Sequence, residues 1–118
     1  MKNNMNYPPI SVITVSYNAV LTIEQTILSV INQTYLNIEY IIIDGGSTDG
    51  TVNVIKKYAD KIAYWVSESD KGIYDAMNKG IAYSHGEYCN FINAGDKFCS
   101  SSILKPVSYT HLTLPTIR

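Results

Sequence analysis

Four short strand-like runs alternate with segments of helical period along this 118-residue chain, and that alternation limits the fold more than any other feature. Ile10 to Tyr17 (ISVITVSY) is rich in β-branched residues and reads as a strand. Pro8 and Pro9 keep regular structure from extending before it. Leu21 to Gln33 reads as a helix, with Ile23, Ile27, Val30 and Ile31 on one face. Ile38 to Ile43 is nearly all apolar, the pattern of a strand buried on both faces. The spacing predicts a second helix over Thr51 to Ala59, with Val52, Ile55, Tyr58 and Ala59 inward and Lys56 and Lys57 outward. Asp49 is assigned as its cap. Ile62 to Ser67, carrying Trp65, is a third strand. Gly72 to Ser84 is a third helix with a core-facing stripe of Ile73, Ala76, Met77, Gly80 and Ile81, closed by a left-handed Gly86. Glu87 to Asn93 is a fourth strand. Strands and helices in strict alternation predict one α/β domain with a parallel sheet and right-handed crossovers.

The final residues break this pattern. Ser101 to Lys105 reads as a short helix ending at Pro106. Val107 to Arg118 has neither helical period nor an announced partner strand, and looks like translated sequencing-adapter read-through. The expected division is an N-terminal extension at 1–9, the folded unit at 10–106 and a non-native tail at 107–118.

Composition narrows the classes. Hydrophobic residues at 46% and charged residues at 16% suit a packed core and argue against disorder. A formal charge of −1 offers no basic face for nucleic acid. No apolar run reaches the roughly 18 residues that span a bilayer, and the opening residues lack the apolar core of a signal peptide. A cytoplasmic location is the expectation, with membrane association left open for a longer parent protein. Cys89 and Cys99 lack metal-ligand spacing, and Cys89 reads as a small core residue. His85 is expected to play a plain helix-end role, and His111 sits in no motif.

Function is concentrated at the strand ends. In a parallel sheet, Tyr17-Asn18, Asp44, Glu68-Ser-Asp70-Lys71-Gly72 and Asn93-Ala-Gly-Asp96 all emerge on one edge, where open α/β sheets bind ligands. Asp44 follows a strand and precedes two glycines that let a ligand approach the backbone; an ordinary Asp-Gly turn is the competing reading. Tyr17 can stack on a flat base, Asp44 can accept a hydrogen bond from a base or sugar, and Lys71 can meet a phosphate. Asp96 is the metal candidate: Mg²⁺ commonly takes one or two carboxylates while phosphate and water complete its shell. A turn acid is the alternative there too.

Ile10 to Asn18 (ISVITVSYN), Asp44 to Thr51 (DGGSTDGT), Ser67 to Gly80 (SESDKGIYDAMNKG) and Asn93 to Asp96 (NAGD) resemble family-2 glycosyltransferases, which are sugar-nucleotide-dependent enzymes of the GT-A fold. The resemblance covers about residues 8 to 104 and implies a Rossmann-like three-layer sandwich with strand order 3-2-1-4, here as a truncated GT-A fold. It implies that Val15 (through its backbone), Tyr17, Asp44, Lys71 and Gly95 contact the donor nucleotide, with Asp44 on the base, expected to be uracil. It implies Asp96 as the ligand of Mg²⁺ or Mn²⁺. Asn93 and Gly95 stand where the family often has acids, which weakens the metal motif without removing its last acid. Asp75, Asn78 and Gly80 match a family helix, although Asp75 could equally be a surface charge.

The implied reaction is inverting transfer from a nucleotide sugar, expected to be a UDP-sugar, to a glycan acceptor. Metal would stabilise charge on the leaving diphosphate, and a carboxylate base would take the acceptor proton. In the family that base lies beyond the metal motif, so the 118 residues are expected to be a donor-binding fragment, inactive alone. Two other classes compete. A flavodoxin-like binding or regulatory module would want acids after the first strand, where Ser16-Tyr17-Asn18 stands. A Rossmann dehydrogenase would want Gly-x-Gly-x-x-Gly there.

Overall fold

The computed structural model describes residues 8–35 and 37–96. The expected short helix over 101–105, the tail from 107, Cys99, His111 and most of the N-terminal extension lie outside these residues. Eight elements follow in order: β1 (Ile10–Ser16), α1 (Ile23–Ile31), β2 (Ile38–Asp44), α2 (Thr51–Lys57), a 3-10 turn (Ala59–Lys61), β3 (Tyr64–Ser67), α3 (Ile73–Tyr83) and β4 (Tyr88–Phe91). All pairings are parallel, in the order β3-β2-β1-β4.

Side-chain alternation explains the layers. Ile10, Val12, Tyr40 and Ile42 point to one face, where they pack with Ile23, Ile27 and Val30 of α1 and Ile55 of α2. Ile13, Val15, Ile41 and Ile43 point to the other, against Ala76 of α3. The two central strands are therefore apolar on both faces, and the result is a three-layer sandwich. A right-handed crossover that moves one way along the sheet puts its helix on one face, and the reverse direction uses the other. The steps β1 to β2 to β3 carry α1 and α2 on the first face. The return from β3 to β4, on the far side of β1, carries α3 on the second.

Several local expectations need correction. Thr22 and Ile23 both donate backbone N–H to the Ala19 carbonyl, so α1 starts at Ile23 and leaves Leu21 in solvent. The α3 stripe is only partly core. Ala76 and Gly80 are buried, while Ile73 and Ile81 are about half exposed. Gly80 lets α3 sit down on β1, since a Cβ there would come within 2.5 Å of Ile13 Cγ2. Gly86 does not adopt the left-handed conformation. The helix closes at extended Ser84, whose hydroxyl and N–H both donate to the Ile81 carbonyl. Gly86 is small for another reason: a Cβ would lie 2.6 Å from Ser11 Oγ, to which its own N–H donates at 2.9 Å.

Other residues carry plain structural roles. Asp49 stabilises the start of α2 from one position before the cap, which is a left-handed Gly50. Its Oδ1 accepts the Thr51 N–H and hydroxyl, and its Oδ2 accepts the Val20 N–H. His85 does more than end a helix: its Nδ1 lies 2.9 Å from Glu39 Oε2, and its N–H donates to Glu39 Oε1. Cys89 packs half-buried against the α3 side of the sheet. No helix among the described residues is long and apolar enough to cross a membrane.

Candidate functional site at the carboxyl edge of the sheet

Register aligns Ser16 with Asp44 and Asp44 with Ser67, so three polar residues end β1, β2 and β3 in one row. Asp44, fully buried at the centre, accepts five hydrogen bonds. Its Oδ1 accepts the Ser16 and Ser47 hydroxyls, each at 2.7 Å. Its Oδ2 accepts the Gly46 N–H at 3.1 Å, the Ser47 N–H at 2.8 Å and the Ser67 hydroxyl at 2.8 Å. Burial pushes its pKa up, but the bonds from Ser16, Ser47 and Ser67 outweigh that and hold it below the usual carboxylate range. A carboxylate has about four lone-pair sites, and these donors occupy them. The geometry therefore does not match an Asp44 carboxylate turned toward a base.

Two hydroxyl relays stitch the β1–α1 loop to the β2–α2 loop. The Asn18 N–H donates to Ser47 Oγ, which donates on to Asp44. The Ala19 N–H donates to Thr51 Oγ1, which donates on to Asp49. Asn18 is left-handed (φ 46°), and its Oδ1 accepts the Thr48 N–H at 2.9 Å. These bonds hold Tyr17, 64% exposed, between two anchored neighbours, Ser16 and Asn18.

A cleft of about 520 Å³ opens at this edge. Val15, Ser16, Tyr17 and Ala19 form one wall, and Asn93 and Ala94 continue it beyond β4. Gly45, Ser69, Asp70 and Gly72 form the opposite wall, with Ile73 and Ala76 of α3 between. Val15 and Tyr17 both line this cleft, whereas Asp44, Lys71, Gly95 and Asp96 are not among its lining residues. Val15 already spends its carbonyl on the Ala94 N–H at 3.0 Å. Lys71 is exposed, and its backbone N–H donates to the Asp75 carboxylate, so Asp75 braces the entry to α3.

The loop after β4 is pinned from a direction that motif reading does not reveal. Thr26 of α1, fully buried, accepts the Gly95 N–H at 2.9 Å and donates to the Asp96 carbonyl. Gly95 has φ +103°, so a glycine there relieves the turn that Thr26 closes. Asp96 itself is exposed, and no described residue hydrogen-bonds its carboxylate. Among the described residues no group of three His, Cys, Asp or Glu side chains gathers as a metal cluster. A single exposed carboxylate still fits Mg²⁺ or Mn²⁺ when phosphate oxygens supply other ligands.

The family model for glycosyl transferase family 2 matches residues 11–105. The chain belongs to that family. An uncharacterized glycosyltransferase of Mycobacterium tuberculosis is 42% identical over 98 residues, covering 82% of this chain and 37% of that protein. Among solved structures, the mannosyltransferase PcManGT of Pyrobaculum calidifontis, in complex with GDP-Man and Mn²⁺, superposes with a TM-score of 0.75 at 24% identity, covering 84% of this chain and 31% of that one. Glucosyl-3-phosphoglycerate synthase of Mycobacterium tuberculosis, in complex with UDP, superposes with a TM-score of 0.63 at 28% identity, covering 75% and 34%. This family-2 chain thus spans about a third of the length of the proteins it matches. Its sheet order and layers are those of the GT-A fold. Membership in the family sets aside the flavodoxin-like and dehydrogenase readings.

Proposed function

We propose that the chain forms the donor-binding part of an inverting, nucleotide-sugar-dependent glycosyltransferase that passes a sugar to a glycan acceptor. The observation that carries this reading is the cleft at the carboxyl edge, beside β1 and β4, where the strand order switches direction. Tyr17 offers its exposed ring as a stacking surface for the base. Asp44 acts from beneath, tying the turn after β2 to Ser16 of β1 and Ser67 of β3 through its five accepted bonds. Lys71 contributes positive charge toward the diphosphate. Asp96 would hold a divalent cation, on a loop kept in place by Thr26.

Such a cation, when bound, supplies Lewis-acid stabilisation of the charge on the leaving diphosphate. The UDP and the Mn²⁺ held by the mycobacterial synthase support a uridine donor and a divalent metal. The general base belongs, in this proposal, to an acceptor-binding region outside these 118 residues, and the chain alone does not turn over. Its span of about a third of the matched proteins supports that division.

Titration with UDP, with and without Mn²⁺, tests the site. The expected result is metal-enhanced affinity that Asp96→Ala abolishes while leaving metal-free binding intact. Equal enhancement in wild type and variant would remove Asp96 from the proposal.

A further inference from the structure

The carboxylate that faces the cleft is Asp70, in the loop between β3 and α3. Asp44 is buried with both oxygens occupied, whereas Asp70 is half-buried and only half committed. Its Oδ1 accepts the Gly72 N–H at 3.0 Å, which fixes the side chain. Its Oδ2 accepts no hydrogen bond from any described residue. That oxygen leans over Gly45: a Cβ built there would lie 3.1 Å from it. The residue after Asp44 thus has no side chain, and the Asp70 carboxylate fills the room across the loop. Tyr17 lines the same cleft.

Resting on the donor-site reading above, we propose that Asp70, through Oδ2, reads the pairing edge of the donor base and selects uracil over cytosine. A fixed carboxylate oxygen is an acceptor only, so it matches a base that presents an N–H. Uracil presents one, at N3, between two carbonyls. Cytosine and adenine place a bare ring nitrogen at that position, which repels a carboxylate. A site built around one hydrogen bond rejects analogues that lack the donor because its own group is then left unpaired.

The test uses the full chain with Mn²⁺ and three ligands: UDP, its N3-methyl analogue and CDP. Wild type is expected to bind UDP about tenfold or more tighter than either of the others, in line with one good base-edge contact. Asp70→Asn keeps an oxygen for the Gly72 N–H and puts an amide N–H₂ where Oδ2 was. It should lose affinity for UDP and shift its preference toward CDP, whose ring nitrogen can accept from the amide. Equal wild-type affinity for UDP and N3-methyl-UDP would overturn the proposal without relying on any variant. So would an Asp70→Asn protein that keeps the wild-type ratio of UDP to CDP affinity; in both cases the donor site itself stands. Failure of wild type to bind any of the three nucleotides saturably would overturn the donor-site reading and this inference together.

Discussion

Asp44→Ala takes the acceptor away from five donors at once, and the structure allows the cost to be worked out. The hydroxyls of Ser16, Ser47 and Ser67 can rotate toward other partners, so their share is small. The N–H groups of Gly46 and Ser47 are fixed by the backbone and lose their acceptor outright. An unmet buried donor costs about 1–3 kcal/mol. These two are only part-buried, and water entering the vacated space offsets some of the loss, so the expected destabilisation is about 2–4 kcal/mol. Against a typical domain stability of about 5–15 kcal/mol that is a large fraction. Asp44→Asn can keep its oxygen on the two N–H groups and turn its amide toward the Ser16 and Ser47 hydroxyls, which then accept. Its cost should be about 1 kcal/mol. Urea unfolding followed by the fluorescence of Trp65, the single tryptophan, packed against the core, reads both values. If Asp44→Ala left the midpoint unchanged but abolished nucleotide binding, the acid would be a ligand contact and the argument from its bonds would be wrong.

Acid should have a related effect: the Asp44 pKa is depressed in the fold, so its contribution is present above its unfolded value near about 3.9 and is lost as pH falls through the folded value. Stability measured from pH 6 downward should therefore fall below about pH 4, and less steeply in Asp44→Asn. Thr26→Val removes the acceptor of the Gly95 N–H and the donor to the Asp96 carbonyl. It is expected to lower stability by about 1–3 kcal/mol and to weaken Mn²⁺-dependent UDP affinity more than metal-free affinity, as titration would show. Gly80→Ala drives a methyl to within 2.5 Å of Ile13 Cγ2 and should cost about 1–3 kcal/mol by urea unfolding, despite alanine's better helix propensity.

The strands and helices were legible because their signals are local. β-branched runs such as Ile10–Ser16 and Ile38–Asp44 need no distant information, and the NAGD and DGGSTDGT motifs carried the resemblance that implied the strand order. What depends on register was not legible. Asp44 at a strand end looks the same in sequence whether it faces a ligand or a ring of hydroxyls. Ser16 and Ser67 become its partners only when three strands align in parallel. The Thr26 contact joins residues 69 and 70 positions apart, beyond the reach of any short motif. Helical period placed Ile73 and Ile81 on the core stripe of α3, but periodicity cannot tell how wide a strip of helix the sheet covers. Ile73 instead forms part of the cleft. Glycine after a helix commonly terminates it, whereas the packing of Gly86 against Ser11 depends on where β1 runs, which no local signal carries. Asp70 stood within the loop identified as functional, but its approach to Gly45 spans 25 residues and emerges only from the fold.

A crystal structure of the chain with UDP and Mn²⁺ tests the donor site most directly. The uracil should stack on Tyr17 with its N3 edge toward Asp70, and the diphosphate should run toward Asp96. A nucleotide bound anywhere other than the carboxyl edge of the sheet would contradict the account.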